Sequence, residues 1–340
     1  MKVLSPLIIF CFLLNPCGAE SQDLGSWESL APMCIPRLEQ AAGLLDGKIY
    51  VAGGFIENPL GGTVGTNSVE RYDPVTNLWE PLNDLPSPDP LNHFQLVTAA
   101  GCLYAIGGLR VNFTPTDRVY RYDPIMDMWT ERAPLLEPVG AYGAAVVDDM
   151  IYISGGFPPE SRGSELRRYD PEANEWTMLP SMDFGREHHT SAAIDGKVYV
   201  FGGRRRFLDT FEPHTECFDP QAGPMGEWTT VADIPTERAG LTCAAVNGRA
   251  YVFGGERSRS PMYPDGVHPE VEEYNPLTNS WQAMTPMPTP RHGFAAVALD
   301  GKIYLPAGGP IVAFTVSNIL DVFTPPALTP LSGVSGFLLR

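Results

Sequence analysis

The stretch DGKIYVAGG, Asp46–Gly54, decides the fold, because near copies of it recur along the chain. The copies lie at Ala100–Gly108, Asp148–Gly156, Asp195–Gly203, Asn247–Gly255 and Asp300–Gly309. Their Gly-Gly pairs are spaced 47 to 54 residues apart. Each copy joins a tight turn to an apolar strand that ends in two glycines. A repeat of about 50 residues with these parts indicates a small β-sheet unit that packs beside copies of itself.

Each repeat predicts four strands. An apolar run rich in small residues, such as Ala41–Leu45, precedes an Asp-Gly or Asn-Gly pair that favours the positive φ angles of a tight hairpin. A variable loop follows Gly-Gly and leads to a third strand that ends in an aromatic-Asp-Pro turn or a variant of it. The fourth strand carries a tryptophan, at Trp79, Trp129, Trp176, Trp228 and Trp281. We expect these aromatic residues to pack between the repeats and not to form a ligand cage.

The two ends of the repeat region predict how the sheets close. The last repeat supplies three strands, near Phe294, Ile303 and Ile319, with no tryptophan after them. Ser26–Leu30, which carries Trp27, precedes the first repeat as a fourth strand without a repeat of its own. Pairing the two gives an all-β fold, a six-bladed β-propeller of four-stranded antiparallel blades, over residues 20–325. Such closure hides the strand edges that would otherwise promote association.

The N-terminal segment, residues 1–19, has the pattern of a signal peptide. Lys2 supplies the positive start, Leu4–Leu14 the short apolar run, and Cys17-Gly18-Ala19 the small residues before a cut ahead of Glu20. An uncleaved anchor and a lipid-modified Cys17 are the alternatives. We expect a secreted or periplasmic protein with no membrane span, and a C-terminal tail at residues 326–340 without a repeat partner.

Charge and cysteine content exclude two classes of function. A formal net charge of −17 repels phosphate backbones, which argues against nucleic-acid binding. Four cysteines remain after cleavage, and their positions lack the CxxC spacing of a zinc site: Cys34, Cys102, Cys217 and Cys243. One disulfide bridge among them is compatible with export. We expect a monomer.

With Gly-Gly, aromatic-Asp-Pro and tryptophan at these offsets, the sequence resembles the kelch-repeat family over about residues 24–325. The resemblance implies the propeller fold but leaves the function open, since one fold hosts many activities. Kelch propellers occur in ubiquitin-ligase adaptors, in actin binders, in the copper enzyme galactose oxidase and in a periplasmic sialic-acid mutarotase. The adaptors carry extra domains ahead of their propellers, whereas this chain has a signal-like segment there, so we expect no ubiquitin role.

Arginines concentrate in the loops that should share one face of the propeller. Arg37, Arg186, Arg238 and Arg291 occupy the same position of the loop between blades, where two other repeats have Leu91 and Val139. The candidate ligand-binding residues are Arg37, Arg186, Arg238, Arg291, Arg204, Arg257, His188 and His292. Arginine suits carboxylate, sulfate or phosphate groups. In the adaptors, such arginines bind acidic peptides, and the resemblance implies that role for the four loop arginines. The alternative is that these four brace the blades.

The sequence therefore favours a binding module for a protein or an anionic carbohydrate, without a cofactor. The enzyme alternative is a sugar-acid mutarotase, with Glu187 or His292 as the acid-base group and Arg291 as the anchor for the sugar carboxylate. A copper enzyme of the galactose-oxidase type is less favoured, because nothing pairs Tyr142 with Cys243. His188 and His189 are adjacent in an extended segment and should point to opposite sides, so no metal site is expected.

Overall fold

The structure is a computed structural model that describes residues 23–206 and 210–327. It confirms the all-β, six-bladed propeller of four-stranded antiparallel blades. The predicted signal peptide, residues 1–19, and most of the predicted tail lie outside the described residues and remain predictions. In the described ranges, no helix has the length and apolar character needed to cross a membrane. The four cysteines of these ranges are free.

The strands are short, as the turn spacing predicts. Most have three to five residues, and one helical turn, α1 (Pro159–Arg162), interrupts a loop. In chain order the strands are β1 (Ser26–Ser29), β2 (Ala41–Leu45), β3 (Lys48–Ala52), β4 (Phe55–Glu57), β5 (Thr63–Gly65), β6 (Val69–Asp73), β7 (Leu78–Leu82), β8 (Leu91–Asn92), β9 (Gln95–Ala99), β10 (Cys102–Ile106), β11 (Leu109–Arg110), β12 (Val119–Asp123), β13 (Met128–Glu131), β14 (Gly143–Val147), β15 (Met150–Ser154), β16 (Leu166–Asp170), β17 (Glu175–Leu179), β18 (Thr190–Ile194), β19 (Lys197–Phe201), β20 (Thr215–Asp219), β21 (Glu227–Val231), β22 (Thr242–Val246), β23 (Arg249–Phe253), β24 (Val271–Asn275), β25 (Ser280–Ala283), β26 (Val297–Leu299), β27 (Lys302–Pro306) and β28 (Leu320–Thr324).

The first five blades each take four strands in chain order. From the inner to the outer strand they are β2-β3-β6-β7, β9-β10-β12-β13, β14-β15-β16-β17, β18-β19-β20-β21 and β22-β23-β24-β25. Two of the described loops carry small ribbons: β4 pairs with β5 in the loop after β3, and β11, after β10, pairs with β8 of the loop between blades. The loops after each second strand and the loops between blades share one face, which we call the loop face, and the tight Asp-Gly turns lie on the opposite face.

The sixth blade closes the ring as the sequence predicts. Its order is β26-β27-β28-β1, with Trp27 opposite Phe323 in antiparallel register. The Trp27 indole donates a hydrogen bond of 3.1 Å to the carbonyl of Thr285 in the fifth blade. The sixth repeat differs from the expected pattern in one detail. The residues equivalent to Gly53–Gly54 are Ala307–Gly308, which lie one position before the Gly308–Gly309 pair. This shift arises because β27 ends at Pro306 and the two residues with positive φ angles follow it directly.

The core lies between neighbouring blades. Each tryptophan packs on the aromatic residue of the adjacent third strand, as Trp79 does on Tyr72 with ring centroids 5.0 Å apart. The Trp79 indole also donates to the carbonyl of Ala31, which belongs to the preceding blade. The tryptophans therefore join blades, which is the packing role expected of them.

The inner strands leave a channel of about 560 Å³ along the axis of the ring. Small residues line much of it, among them Gly43, Ala144, Ala192, Ala244 and Ala295. Small side chains are needed there because six strands meet at close range. The candidate site lies where this channel reaches the loop face.

Candidate functional site

Six equivalent residues, one from each loop between blades, form a backbone ring around the axis. They are Glu39, His93, Ala141, His188, Gly240 and Gly293. Each backbone N–H donates to the carbonyl of the preceding member, with N···O distances of 2.7 to 3.1 Å, and the bond from Glu39 to Gly293 closes the circle. All six φ angles lie between 50° and 61°. We call this feature the axial ring.

The left-handed conformation of the axial ring is unfavourable for residues with a side chain. It costs about 1–2 kcal/mol per residue and is common only for glycine. Gly240 and Gly293 adopt it freely, but Glu39, His93 and His188 adopt it with large side chains. Backbone strain of this kind concentrates at functional sites, where the surrounding structure holds it in place.

The side chains of Glu39, His93 and His188 converge on the axis. One ligating atom from each lies within 4.8 Å of the other two. His93 Nε2 is 3.4 Å from Glu39 Oε2, and the two imidazole rings are 4.8 Å apart between centroids. Gly293 provides the space for the carboxyl group, because a Cβ atom at Gly293 would lie 2.5 Å from Glu39 Oε1.

A second network borders these three side chains. Arg204 donates to Glu187 at 2.7 Å and to Glu256 at 2.6 Å. The other oxygen of Glu187 is 2.9 Å from His188 Nδ1, and the other oxygen of Glu256 is 3.6 Å from His292 Nε2. The guanidinium charge of Arg204 is therefore shared between two carboxylates.

Burial and neighbouring charges set the ionisation of these groups. Desolvation raises the pKa of the Glu39 carboxyl above its usual range and, with nearby His188 and Arg204, holds the pKa of His93 well below its ordinary value. Burial alone would also raise the pKa of Glu187, but His188 and Arg204 hold it at about 2. His93 is therefore a neutral imidazole at neutral pH, and Glu187 is a carboxylate.

Aromatic side chains form one wall above the axial ring. Phe314 lies with its ring centroid 5.5 Å from that of Phe55 and 6.3 Å from that of Phe113. Phe113 is 42% exposed and Phe314 is 53% exposed, although both are large and apolar. Together with the ionisable groups they border a cavity of about 180 Å³, which we call the axial pit.

The four loop arginines, Arg37, Arg186, Arg238 and Arg291, are fully buried, with 0% exposure. Their acidic partners are Glu70, Glu216, Glu272 and Asp321, respectively. Each guanidinium also donates to a backbone carbonyl of its own blade, as Arg238 does to Gly254 at 2.6 Å. This geometry matches the bracing alternative, because a ligand could reach these groups only by displacing a buried ion pair.

The repeat sequence contains a signal for this pairing. The four repeats with a loop arginine have an acidic residue at the second position of the third strand. The second and third repeats have Leu91 and Val139 in the loop, and Tyr120 and Arg167 in the strand. The arginine and the acid are therefore present together or absent together, which is the pattern of a structural ion pair.

The structure divides the remaining candidate residues into two groups. His188, His292 and Arg204 line the axial pit, and Glu187 lies behind them, paired with His188 and Arg204. Arg257 lies over the Tyr263 ring, 4.7 Å from its centroid, and Arg291 pairs with Asp321 instead of joining Glu187 and His292.

His189 turns away from His188 as expected, but His188 is left-handed, with a φ of 50°, and not extended. The Nε2 atom of His189 accepts from the Gly143 N–H at 3.0 Å. Sequence reasoning missed Glu39, His93, Phe113 and Phe314. Aligning the repeats would have placed Glu39 and His93 at the position of His188.

Comparison with known proteins gives matches over most of the chain. The model of the KLHDC2/KLHL20/DRC7 Kelch-repeats domain matches residues 141–320, and the Kelch motif model matches residues 36–86 and 90–136. Kelch-like protein terF of Aspergillus terreus is 30% identical, over 89% of this chain and 68% of that protein. Human Kelch-like protein 23 is 28% identical over 74% of this chain, which spans only 42% of that relative's length.

A solved structure described as "Structure of YjhT" superimposes with a TM-score of 0.71 at 13% identity, over 86% of this chain and 95% of that chain. At this identity the superposition establishes similarity of fold alone.

Proposed function

Because this chain belongs to the kelch-repeat family, we propose that it is a protein-binding module whose partner docks on the loop face over the axial pit. The observation that carries the proposal is the exposure of Phe113 and Phe314 beside a partly buried ionisable cluster. An apolar partner side chain packs on the two rings, and a polar group of the partner reaches the cavity below them.

The aromatic wall has the composition of an interface centre. Large aromatic residues that are partly exposed tend to supply much of the binding energy when a partner removes them from water. Val64 and Val111, exposed by 37% and 44%, belong to the same loops as Phe55 and Phe113. Exposed apolar residues that cluster around a cavity are typical of a binding surface.

The charges at the loop face favour a protein over an anionic carbohydrate. The four loop arginines are buried in ion pairs, and Arg204 is held by Glu187 and Glu256. Arg205, although more exposed, pairs with Glu212 at 2.6 Å. A sulfate or carboxylate group would have to compete with these acids for each guanidinium.

The proposal is tested by selecting a phage-displayed peptide library on the wild-type protein and measuring the enriched peptides by calorimetry. We expect the double variant Phe113→Ala/Phe314→Ala to weaken binding at least about tenfold, the loss of one good anchor. The matched control is Ile125→Ala/Leu277→Ala, which removes two exposed apolar residues from the opposite face and should not change binding. Two outcomes would contradict a protein partner at this surface: peptides that bind the Phe113→Ala/Phe314→Ala variant as tightly as the wild type, or a glycan-array ligand whose binding is lost in that variant.

We also propose that the protein is exported, on the basis of the N-terminal sequence pattern. Expression of the full chain in a secreting host should deliver a mature form that begins at Glu20. N-terminal sequencing of the purified protein checks this. Retention of Met1 in the exported or cell-associated protein would contradict cleavage.

Catalysis on a sugar acid is the second candidate, and the arrangement of Glu187 and His292 supports it. Glu187 pairs with Arg204 at 2.7 Å, and His292 lines the axial pit with its Nε2 3.6 Å from Glu256. Acid-base groups in such a cavity can transfer protons during ring opening. Saturation-transfer NMR on a panel of sugar acids tests it: faster anomer exchange that is lost in Glu187→Gln supports catalysis, and no acceleration by the wild type removes it.

A further inference from the structure

We propose that Glu39, His93 and His188 form a binding site for one divalent transition-metal ion at the base of the axial pit. The site does not depend on the docking of a protein partner, because its three ligands come from this chain alone.

The distances fit a shared ion. Metal–nitrogen and metal–oxygen bonds of about 2.0–2.2 Å place neighbouring ligand atoms roughly 3.0–3.5 Å apart in tetrahedral or octahedral geometry. His93 Nε2 and Glu39 Oε2 are 3.4 Å apart. All three ligand atoms lie within 4.8 Å of one another. Side-chain rotations that move these atoms by about 1 Å would therefore bring all three to bonding distance from one ion.

Hydrogen bonds to Nδ1 orient both imidazole rings. His188 Nδ1 is 2.9 Å from Glu187 Oε2, and a carboxylate oxygen accepts only, so Nδ1 carries the proton. His93 Nδ1 is 2.6 Å from Asn92 Oδ1, which accepts in the same way. In both rings this leaves the lone pair on Nε2 for a metal. An outer carboxylate or amide that fixes the tautomer is the usual support of a ligating histidine.

The surroundings favour a cation. The charged and titratable groups that face the three ligands are Glu187, Glu256, Arg204 and His292. Two glutamates share the single guanidinium, so carboxylates outnumber the arginine around the pit.

The axial ring holds the ligands in place. The first, second and fourth blades each contribute one ligand, and the closed circle of hydrogen bonds fixes the backbone of all three. The remaining members are Ala141, Gly240 and Gly293, which are small and leave the centre open. A preformed backbone with room at its centre lowers the cost of ordering the ligands around an ion.

The donor set indicates the class of metal. Two imidazoles and one carboxylate suit Zn²⁺, Fe²⁺, Co²⁺ or Ni²⁺, whereas Ca²⁺ and Mg²⁺ prefer oxygen donors alone. Three protein ligands leave the side toward the axial pit open. Water, or an oxygen or nitrogen donor of a molecule in the pit, can complete the coordination there.

The experiment measures metal binding on the full mature chain, purified with a tag that contains no histidine and stripped with EDTA. We expect equilibrium dialysis and mass spectrometry to show one Zn²⁺ or Co²⁺ per chain, and bound Co²⁺ to give visible d–d bands. Glu39→Gln and His93→Ala should each weaken binding by at least about 100-fold. Glu187→Gln, which loosens the orientation of His188 and removes one negative charge beside Arg204, should weaken it by about 10–100-fold.

The matched control is His214→Ala, because His214 also pairs with a glutamate, Glu212, but lies outside the cluster. It should bind metal like the wild type. Circular dichroism melts show whether each variant is folded. If His93→Ala does not fold, Glu39→Gln still tests the site, because glutamine keeps the shape of the glutamate side chain. Failure of the folded wild type to bind either ion would overturn the site, as would wild-type affinity in Glu39→Gln.

Discussion

The imidazole of His93 and the carboxyl group of Glu39 lie 3.4 Å apart, although they belong to different blades and 54 positions separate them in the chain. Both residues occupy the same place in the repeat, and the axial ring brings them together. Burial opposes the charge of the Glu39 carboxylate and raises its pKa.

Removing the charge of Glu39 should stabilise the metal-free protein at neutral pH. Its pKa is raised in the folded state, so the folded protein binds more protons, and stability falls as pH rises above the unfolded pKa of 4.5. Glu39→Gln should raise the Tm by about 2–4 °C at pH 7, corresponding to roughly 1 kcal/mol. The gain should vanish at pH 4. A lower Tm at pH 7 would show that the ionised carboxyl is stabilised in the fold.

Gly293→Ala should disturb the position of the Glu39 carboxyl. The new Cβ would lie 2.5 Å from Glu39 Oε1, at a φ of +59°. Gly301→Ala is the matched control, because Gly301 has a φ of +75° but no atom within 4 Å of a Cβ. Both variants carry the conformational cost of about 1 kcal/mol, and only Gly293→Ala should also lower Zn²⁺ affinity. Equal affinities in the two variants would place Glu39 outside the metal site.

Arg238→Ala should destabilise the protein strongly, because it leaves Glu272 buried without its partner. Breaking a buried pair costs about 3–5 kcal/mol, whereas removing one side of an exposed pair costs under about 1 kcal/mol. Arg118→Ala is the exposed control, since Arg118 and its partner Glu131 are 39% and 65% exposed. Chemical denaturation measures both. If Arg238→Ala loses ligand binding at unchanged stability, the arginine contacts the ligand and is not a brace.

Acidification should destabilise the metal-free protein before any carboxylate of ordinary pKa is protonated. Burial lowers the pKa of His189 to about 3 and that of His93 well below 6.5. Each histidine therefore contributes stability that is present above pH 6.5 and is lost as pH falls, about 2 kcal/mol per group by pH 5. His189→Gln should flatten the decline in Tm between pH 7 and pH 5. A flat wild-type profile between pH 7 and pH 5 would contradict the assignment.

Trp27→Ala should loosen the closure of the ring. Trp27 packs on Phe323 with ring centroids 5.0 Å apart and donates to Thr285. The half-buried indole and its hydrogen bond together contribute about 2–3 kcal/mol. We expect faster hydrogen exchange in β1 and β28, with the third blade unchanged. Uniform loss of protection over all blades would show that closure and global unfolding are one event.

The sequence alone defines the repeats and their number. Asp-Gly turns, Gly-Gly pairs and aromatic-Asp-Pro turns act over a few residues, so each can be recognised without knowledge of distant contacts. The unmatched Trp27 segment and the three-stranded last repeat then predict ring closure, because a sheet edge must be covered. The register of the sixth repeat could not be predicted in this way. Ala307 has a positive φ angle of 59°, which is typical of glycine, and an alanine in the sequence does not indicate such a conformation.

The charged residues needed the tertiary structure. The sequence places the arginines in loops between blades, but only the packed blade shows that Arg238 turns inward to Glu272 and leaves the surface. Glu39, His93 and His188 are single residues in three separate loops, and nothing nearby marks them as partners. They meet because six equivalent backbone positions close around one axis, and such convergence depends on how the blades are arranged in space and not on any local pattern.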